Sequence, residues 1–357
     1  IIIFPYYCVI GGWVMKYLAV YVTGQGMAAA NDTYFSNYIA QPVEPLVWPA
    51  VYVGITALIV FFGVQKGVEK ASKVMMPVLA VLSVGVAVYS VTRPGALEGV
   101  AYYLTPDFSR FSPMTVLAAM GQMFYSMSLA MGIMVTYGSY MKREDDLEKS
   151  VKQIELFDTG MAFVAGLMII PAVFAFSGGD EAALNKGAGL MFVTLPKVFA
   201  DAGTLGMIFG GVFFLLVLFA ALTSSVSLME TVVSIFQDKF HWSRRKTCTL
   251  VMVGCLVLAL PSSLGYGVLS WIAPLGMSLL DFFDFISNSV LMPIVAFCTC
   301  VFVGYVIHTK TITDEVKRSS PFKREKLFVV VVKYIAPVCI VLILVSSILD
   351  TLGVVKI

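Results

Sequence analysis

The sequence predicts an all-α polytopic membrane protein, and three observations predict it. Of 357 residues, 59% are hydrophobic and only 13% are charged, far more apolar surface than a soluble domain of this size needs. The apolar residues come in long continuous runs, close to the roughly 20 residues that cross a hydrocarbon core as a helix; a transmembrane barrel would show short alternating strands. Lysine and arginine concentrate in alternate connectors, as they do when those connectors stay on the cytoplasmic side.

Nine spanning segments are expected, over 1–23, 46–62, 74–92, 113–140, 154–177, 204–236, 247–261, 280–306 and 328–349. Connectors 63–73, 141–152, 237–246 and 307–326 hold seventeen basic residues. Connectors 24–45, 93–112, 178–203 and 262–279, with the tail, hold five: Arg93, Arg110, Lys186, Lys197 and Lys356. The first set is therefore expected inside and the C-terminus outside. Both 237–246 and 307–326 are basic, so an even number of crossings separates them. Residues 264–279, with Gly265, Gly267 and Pro274, are then expected to be an apolar external connector and not a further span. Trp48, Trp242 and Trp271 fall near segment ends, as an aromatic belt requires. The connector 178–203 is long for a bundle and carries the apolar piece Leu190-Met191-Phe192-Val193; it reads equally as a lid or as a plain joint. The chain opens on Ile-Ile-Ile-Phe-Pro inside an apolar run, so its start reads as a cut.

The six cysteines lie in or beside apolar segments, where thiols are small buried hydrophobes and imply no disulfide framework. His241 and His308 fall in polar connectors. The net charge of +2 is too small to suggest nucleic acid as a partner. No nucleophile–base pair, metal-ligand cluster or P-loop stands out, so neither an enzyme nor an ATP-driven pump is expected, and no organic cofactor.

The informative stretch is Gly121 to Gly132, in which Gln122, Ser126 and Ser128 are set among small residues inside an apolar segment. Lipid offers backbone groups no partners, so a helix breaks there only where protein or a wet cavity satisfies them. Broken helices are how many secondary transporters present backbone ends to ion and substrate; a helix packing Ser and Gly against its neighbours is the other reading. Ala220, Thr223 and Ser224 share one helix face and offer uncharged oxygens, which suit an alkali ion over a divalent one; back-bonding of the hydroxyls to the preceding turn is the alternative. Asp158 and Glu230 are carboxylates within apolar segments, a costly placement that points to function, with an interfacial position or a structural pairing as the alternatives. Asp281 and Asp284, three apart, could close an entrance against a cation or cap a helix N-terminus. The Tyr7 hydroxyl, beside Tyr6, Gly11, Gly12 and Trp13, needs a partner such as a ligand carboxylate or a backbone carbonyl.

These motifs taken together — Tyr6-Tyr7 with Trp13, Gly63-Val-Gln-Lys-Gly67, Gly121-Gln122-x-Phe124-Tyr125-Ser126-x-Ser128, Tyr137-Gly-Ser-Tyr140, Leu222-Thr223-Ser224-Ser225 and Asp281-x-x-Asp284 — resemble the neurotransmitter:sodium symporter family, and its bacterial amino-acid-transporting members in particular. The resemblance covers nearly the whole chain and implies the leucine-transporter fold with its inverted repeats of five helices. On that map the chain is a single transporter domain, N-terminally incomplete, running from the third to the eleventh helix. Residues 1–92 are the remainder of the first repeat, 113–306 the second, and 328–349 an extra C-terminal helix.

Carried over residue by residue, the resemblance implies that Ile3, Tyr7, Tyr125, Ser126, Ser128, Met131 and Leu228 bind substrate, Tyr7 through its carboxylate. Ser126 and Asp158 would contribute to one sodium site; Ala220, Thr223 and Ser224 would contribute to a second. Asp284, with Asp281 beside it, matches the outer gate. Gln122, Asp158 and Ala162 occupy the positions of the chloride site, and Ala162 stands where chloride-dependent members use a serine. A fixed carboxylate at Asp158 would do the work of that chloride, so chloride independence is expected. Ala130 stands where the family often has glycine.

The implied function is sodium-coupled symport of a neutral, hydrophobic L-amino acid, aromatic ones included, by alternating access in a bacterial inner membrane. The partners are thus an amino acid, sodium and the bilayer. A proton-coupled carrier of the same fold, with Asp158 titrating, and a non-transporting amino-acid sensor are the competing readings.

Overall fold

The computed structural model describes residues 1–184 and 187–351; Lys186 and Lys356 of the orientation argument lie outside them. Every regular element among the described residues is a helix. In order it forms α1 (Ile3–Val22), α2 (Glu44–Phe61), α3 (Val64–Val91), α4 (Ala96–Leu104), α5 (Pro113–Ser126), α6 (Ile133–Tyr140), α7 (Leu147–Ser177), α8 (Leu195–Asp201), α9 (Gly203–Phe240), α10 (Arg244–Leu264), α11 (Leu279–Val306), α12 (Thr309–Ser319) and α13 (Glu325–Thr351). Eight of these are long and apolar enough to cross a membrane. The remaining expected span, 113–140, is the pair of half-helices α5 and α6.

Two compact units divide the chain. The first comprises Ile1–Pro106 and Met161–Phe283. Here α1 is the central helix, packed against α2, α9 and α10, while α9 also packs on α3 and α10 on α2. Two glycines permit the close approach of α1 and α2. A Cβ on Gly11 would collide with the Tyr52 ring, and one on Gly12 would meet the Pro49 backbone nitrogen at 2.5 Å. Small residues at such contacts are what membrane helices use in place of a hydrophobic driving force.

A polar knot binds α2 to α9 beneath this contact. The Tyr52 hydroxyl donates to Ser225 Oγ at 3.0 Å, Thr56 Oγ1 lies 3.0 Å from the same oxygen, and all three residues are fully buried. Two ion pairs add to this unit. Arg244 donates to the carboxylate of Glu230, which is 0% exposed, and also to the Val60 carbonyl at the end of α2. Glu230 thus has the structural pairing offered above. Lys16 pairs with Glu44, whose carboxylate also accepts from Trp48 Nε1 at 3.3 Å.

Where 63–73 reads as a connector in the sequence, α3 is helical from Val64. Gly63, at φ 87°, is the whole joint, so Lys66, Lys70 and Lys73 lie on the first turns of a helix. The apolar piece of the connector after α7 is anchored at Phe192. Phe192 is 1% exposed among Trp13, Tyr17, Phe35 and Phe214, and its carbonyl accepts from the Tyr17 hydroxyl at 2.8 Å. Residues 265–278 form the expected non-spanning connector, with Trp271 78% exposed. Cys8, Cys248 and Cys255 are buried, the six thiols are free, and both histidines are exposed at left-handed backbone positions.

The second unit comprises Asp107–Gly160 and 284–357. It holds α5, α6, the first part of α7, most of α11, α12 and α13. The last helix, α13, packs on α5 and on α11. On the connector side, Asp146 accepts from the Lys149 backbone N–H at 2.9 Å and from the Ser320 hydroxyl at 2.9 Å, which ties the start of α7 to the end of α12.

Candidate functional site

The break between α5 and α6 is written in local chemistry. Ser112 and Thr115 form a capping box that starts α5, with Pro113 at its first position. The helix ends at Ser126, and the Ser128 and Leu129 N–H groups turn back to the Tyr125 and Phe124 carbonyls, each at 3.0 Å. Ser128 (φ 55°), Ala130 (φ 59°) and Gly132 (φ 82°) then alternate in left-handed backbone, which no α-helix contains. A residue with a Cβ is strained there by about 1–2 kcal/mol, so Ser128 and Ala130 hold an energetically loaded turn. Helix resumes at Ile133, with the Thr136 N–H on the Gly132 carbonyl. The broken helix, and not the continuous Ser/Gly-packed one, is what this sequence forms.

Ser126, the last residue of α5, donates its hydroxyl to Asp158 of α7 at 2.6 Å. The two residues carried over to one sodium site are therefore neighbours. Ala162 lies one turn further along α7, exposed. Gln122 and Tyr125, on α5, line a cavity of about 340 Å³ with Asp284 and Asn288 of α11 and Ile340 of α13. Within it the Asn288 amide donates to the Asp284 carboxylate. Ser128 and Met131 lie in the break itself.

The other predicted residues belong to the first unit. Ile3 and Tyr7 sit one turn apart on α1, and Ala220, Ser224 and Leu228 recur every four residues on α9, so each set shares a face. The side chains of Tyr7 and Ser224 are neighbours, which brings the two faces together. Thr223 Oγ1 donates to the Ala220 carbonyl at 2.9 Å, the back-bonding geometry named above. That bond also holds two uncharged oxygens close enough together to ligate one small cation. Asp281 adopts the capping geometry. Its N–H donates to Ser278 Oγ at 3.1 Å, and the Ser278 hydroxyl donates back to its carboxylate at 2.7 Å.

Sequence reasoning missed the Tyr52–Thr56–Ser225 knot and the Lys16–Glu44 pair. Both left a signal: two hydroxyls four residues apart inside an apolar helix, and a lysine in the middle of a predicted span.

Known proteins match this chain along its length. Residues 46–354 match the family model described as the sodium:neurotransmitter symporter family. An uncharacterized sodium-dependent transporter of Haemophilus influenzae is 31% identical over 97% of this chain and 76% of its own length. The uncharacterized sodium-dependent transporter YhdH of Bacillus subtilis is 32% identical over 97% and 77%. Among solved structures, the crystal structure of MhsT in complex with L-phenylalanine superposes with a TM-score of 0.85 at 38% identity, covering 97% of this chain and 78% of that one. The broken helix, the Ser126–Asp158 pair and these matches have one conclusion: the chain belongs to the sodium:neurotransmitter symporter family and has the leucine-transporter fold of a multi-pass membrane transporter.

Proposed function

We propose that the protein couples the sodium gradient to uptake of a neutral, hydrophobic L-amino acid by alternating access, without chloride. The observation that carries the reading is the 2.6 Å hydrogen bond from Ser126 to Asp158 at the helix break. A break offers unpaired carbonyl ends to a cation, and a hydroxyl and a carboxylate beside it add oxygen ligands and a formal negative charge. In this reading Ser126 and Asp158 contribute to one sodium site, and the Ala220 carbonyl with the Thr223 and Ser224 hydroxyls contributes to the other. Tyr7 donates to the substrate carboxylate. Ile3, Tyr125, Ser128, Met131 and Leu228 receive the rest of the substrate. No charged residue is among them, and this supports a neutral apolar side chain; MhsT, crystallised with L-phenylalanine, is a relative that accepts one.

Asp158 also acts as the built-in anion in place of chloride at the Gln122–Asp158–Ala162 positions, and Asp284 acts as the outer-gate acid. The 1–92 and 113–306 segments are read as the two inverted repeats, with the 307–326 connector in the cytoplasm of a bacterial cell and the C-terminus outside. Reciprocal coupling follows: sodium raises amino-acid affinity and the amino acid raises sodium affinity by the same factor.

The test is equilibrium binding of labelled hydrophobic amino acids to the purified protein across a sodium titration. Binding is expected to need sodium, and Thr223→Ala and Ser126→Ala are each expected to raise the sodium concentration required by about 10-fold, the worth of one good ligand at about 1.4 kcal/mol. Saturable binding that ignores sodium would overturn the coupling.

A further inference from the structure

A second cavity, remote in sequence from the residues given to transport, lies in the first unit where the ends of α3, α7 and α8 meet. Its volume is about 220 Å³. The floor is apolar and buried: Val86, Met168, Ala172 and Phe199 are each under a tenth exposed. Two hydroxyls lining it, those of Tyr89 and Ser90, are buried and make no hydrogen bond. Ser90 is 1% exposed. Its helix shows the usual alternative, since the Ser83 hydroxyl back-bonds to the Leu79 carbonyl at 2.7 Å. A buried hydroxyl left unpaired is costly, so a chain that leaves two of them in one cavity leaves room for a ligand that accepts from them.

The rim carries charge of both signs. Arg93 lies with its guanidinium 5.7 Å from the Tyr89 ring centre, and that ring is stacked on Phe209 and so fixed in place. Asp201 lines the same cavity and is exposed. No ion pair joins Arg93 to Asp201. One cation, one carboxylate, two unpaired hydroxyls and an apolar floor complement a single kind of ligand.

We propose that this cavity binds a zwitterion: an oxyanion received by Arg93 and the Tyr89 and Ser90 hydroxyls, an ammonium group received by Asp201, and an apolar body received by the floor. Two sources carry that chemistry, a free α-amino acid and the headgroup of phosphatidylethanolamine.

The full-length protein is reconstituted in nanodiscs of phosphatidylcholine and, separately, of phosphatidylethanolamine. Labelled L-leucine binding is measured in potassium without sodium, which silences a sodium-dependent transport site, and retained lipid is counted by native mass spectrometry. Arg93→Gln and Asp201→Asn are the variants, with sodium-dependent binding and thermal unfolding showing that each is folded. Sodium-independent leucine binding that weakens at least 10-fold in both variants supports the proposal with the amino acid as source. One retained phosphatidylethanolamine lost in both variants, without leucine binding, supports it with the lipid as source. Binding unchanged by either variant, or no retained ligand in either nanodisc, overturns it and leaves the cavity to water. Failure of the transport reading would appear separately, as absence of sodium-dependent binding in the unaltered protein.

Discussion

At the scale of single residues, the energetics of the break turn on two left-handed side chains. Ala130 at φ 59° is expected to be improved by glycine and worsened by a β-branched residue. Ala130→Val should destabilise the protein by about 1–2 kcal/mol or more, read as a lowered thermal midpoint in detergent, while Ala130→Gly should leave the midpoint unchanged or raised. Asp158 gives a sharper prediction. With asparagine there the fixed charge is gone, and Asp158→Asn should make uptake depend on chloride, seen by replacing chloride with gluconate. The sequence made this pair legible only in part. Asp158 stood out as a carboxylate in an apolar run, and Ser126 as a hydroxyl among small residues. That they touch depends on how far α5 runs before it breaks, a matter of backbone geometry no residue type encodes.

At the scale of elements, the buried pairing of Glu230 with Arg244 and the Val60 carbonyl fastens the ends of α2, α9 and α10. Removing one partner leaves a buried charge alone. Arg244→Leu, which strands the fully buried Glu230 carboxylate, should therefore cost about 3–5 kcal/mol, whereas Glu230→Met with Arg244→Leu should recover most of it; thermal unfolding of the single and double variants checks this. The contact of α1 with α2 has no slack either, since a side chain at Gly12 meets Pro49 backbone. Gly12→Val should cost about 1–3 kcal/mol through overpacking and lower the yield of folded protein on size-exclusion chromatography. Among the described residues, the eight helices long and apolar enough to cross a membrane and the broken 113–140 segment were readable because apolar composition declares them. The edges were not. Gly63 compresses an expected eleven-residue connector into one left-handed joint, and the long connector after α7 is pinned by Phe192, whose partners come from α1, α9 and the chain around Phe35. Tertiary contacts of that kind leave no local pattern.

At the scale of the whole molecule, the basic connectors carry the prediction of orientation, and one of them has a pH dependence. The Lys149 backbone N–H and the Ser320 hydroxyl hold the Asp146 carboxyl below the usual carboxylate range. A lowered folded value means that its tether contributes above about pH 4, the ordinary aspartate value, and is lost as pH falls through the lowered one. Hydrogen exchange in 309–320 is expected to stay slow from pH 8 to pH 5 and to quicken, after correction for intrinsic rates, only in stronger acid; Ser320→Ala, which removes the tether itself, should quicken exchange there at every pH and abolish that onset.

Sodium coupling is the claim on which the functional reading rests, and uptake tests it most directly. The full-length protein in proteoliposomes is offered a panel of labelled neutral amino acids under an inward sodium gradient or the same gradient of potassium, each with and without chloride. Accumulation of a hydrophobic amino acid driven by sodium, equal in both anion conditions, is the expected result. Accumulation that needs chloride would contradict the role given to Asp158, and uptake indifferent to sodium by folded protein would contradict the coupling itself.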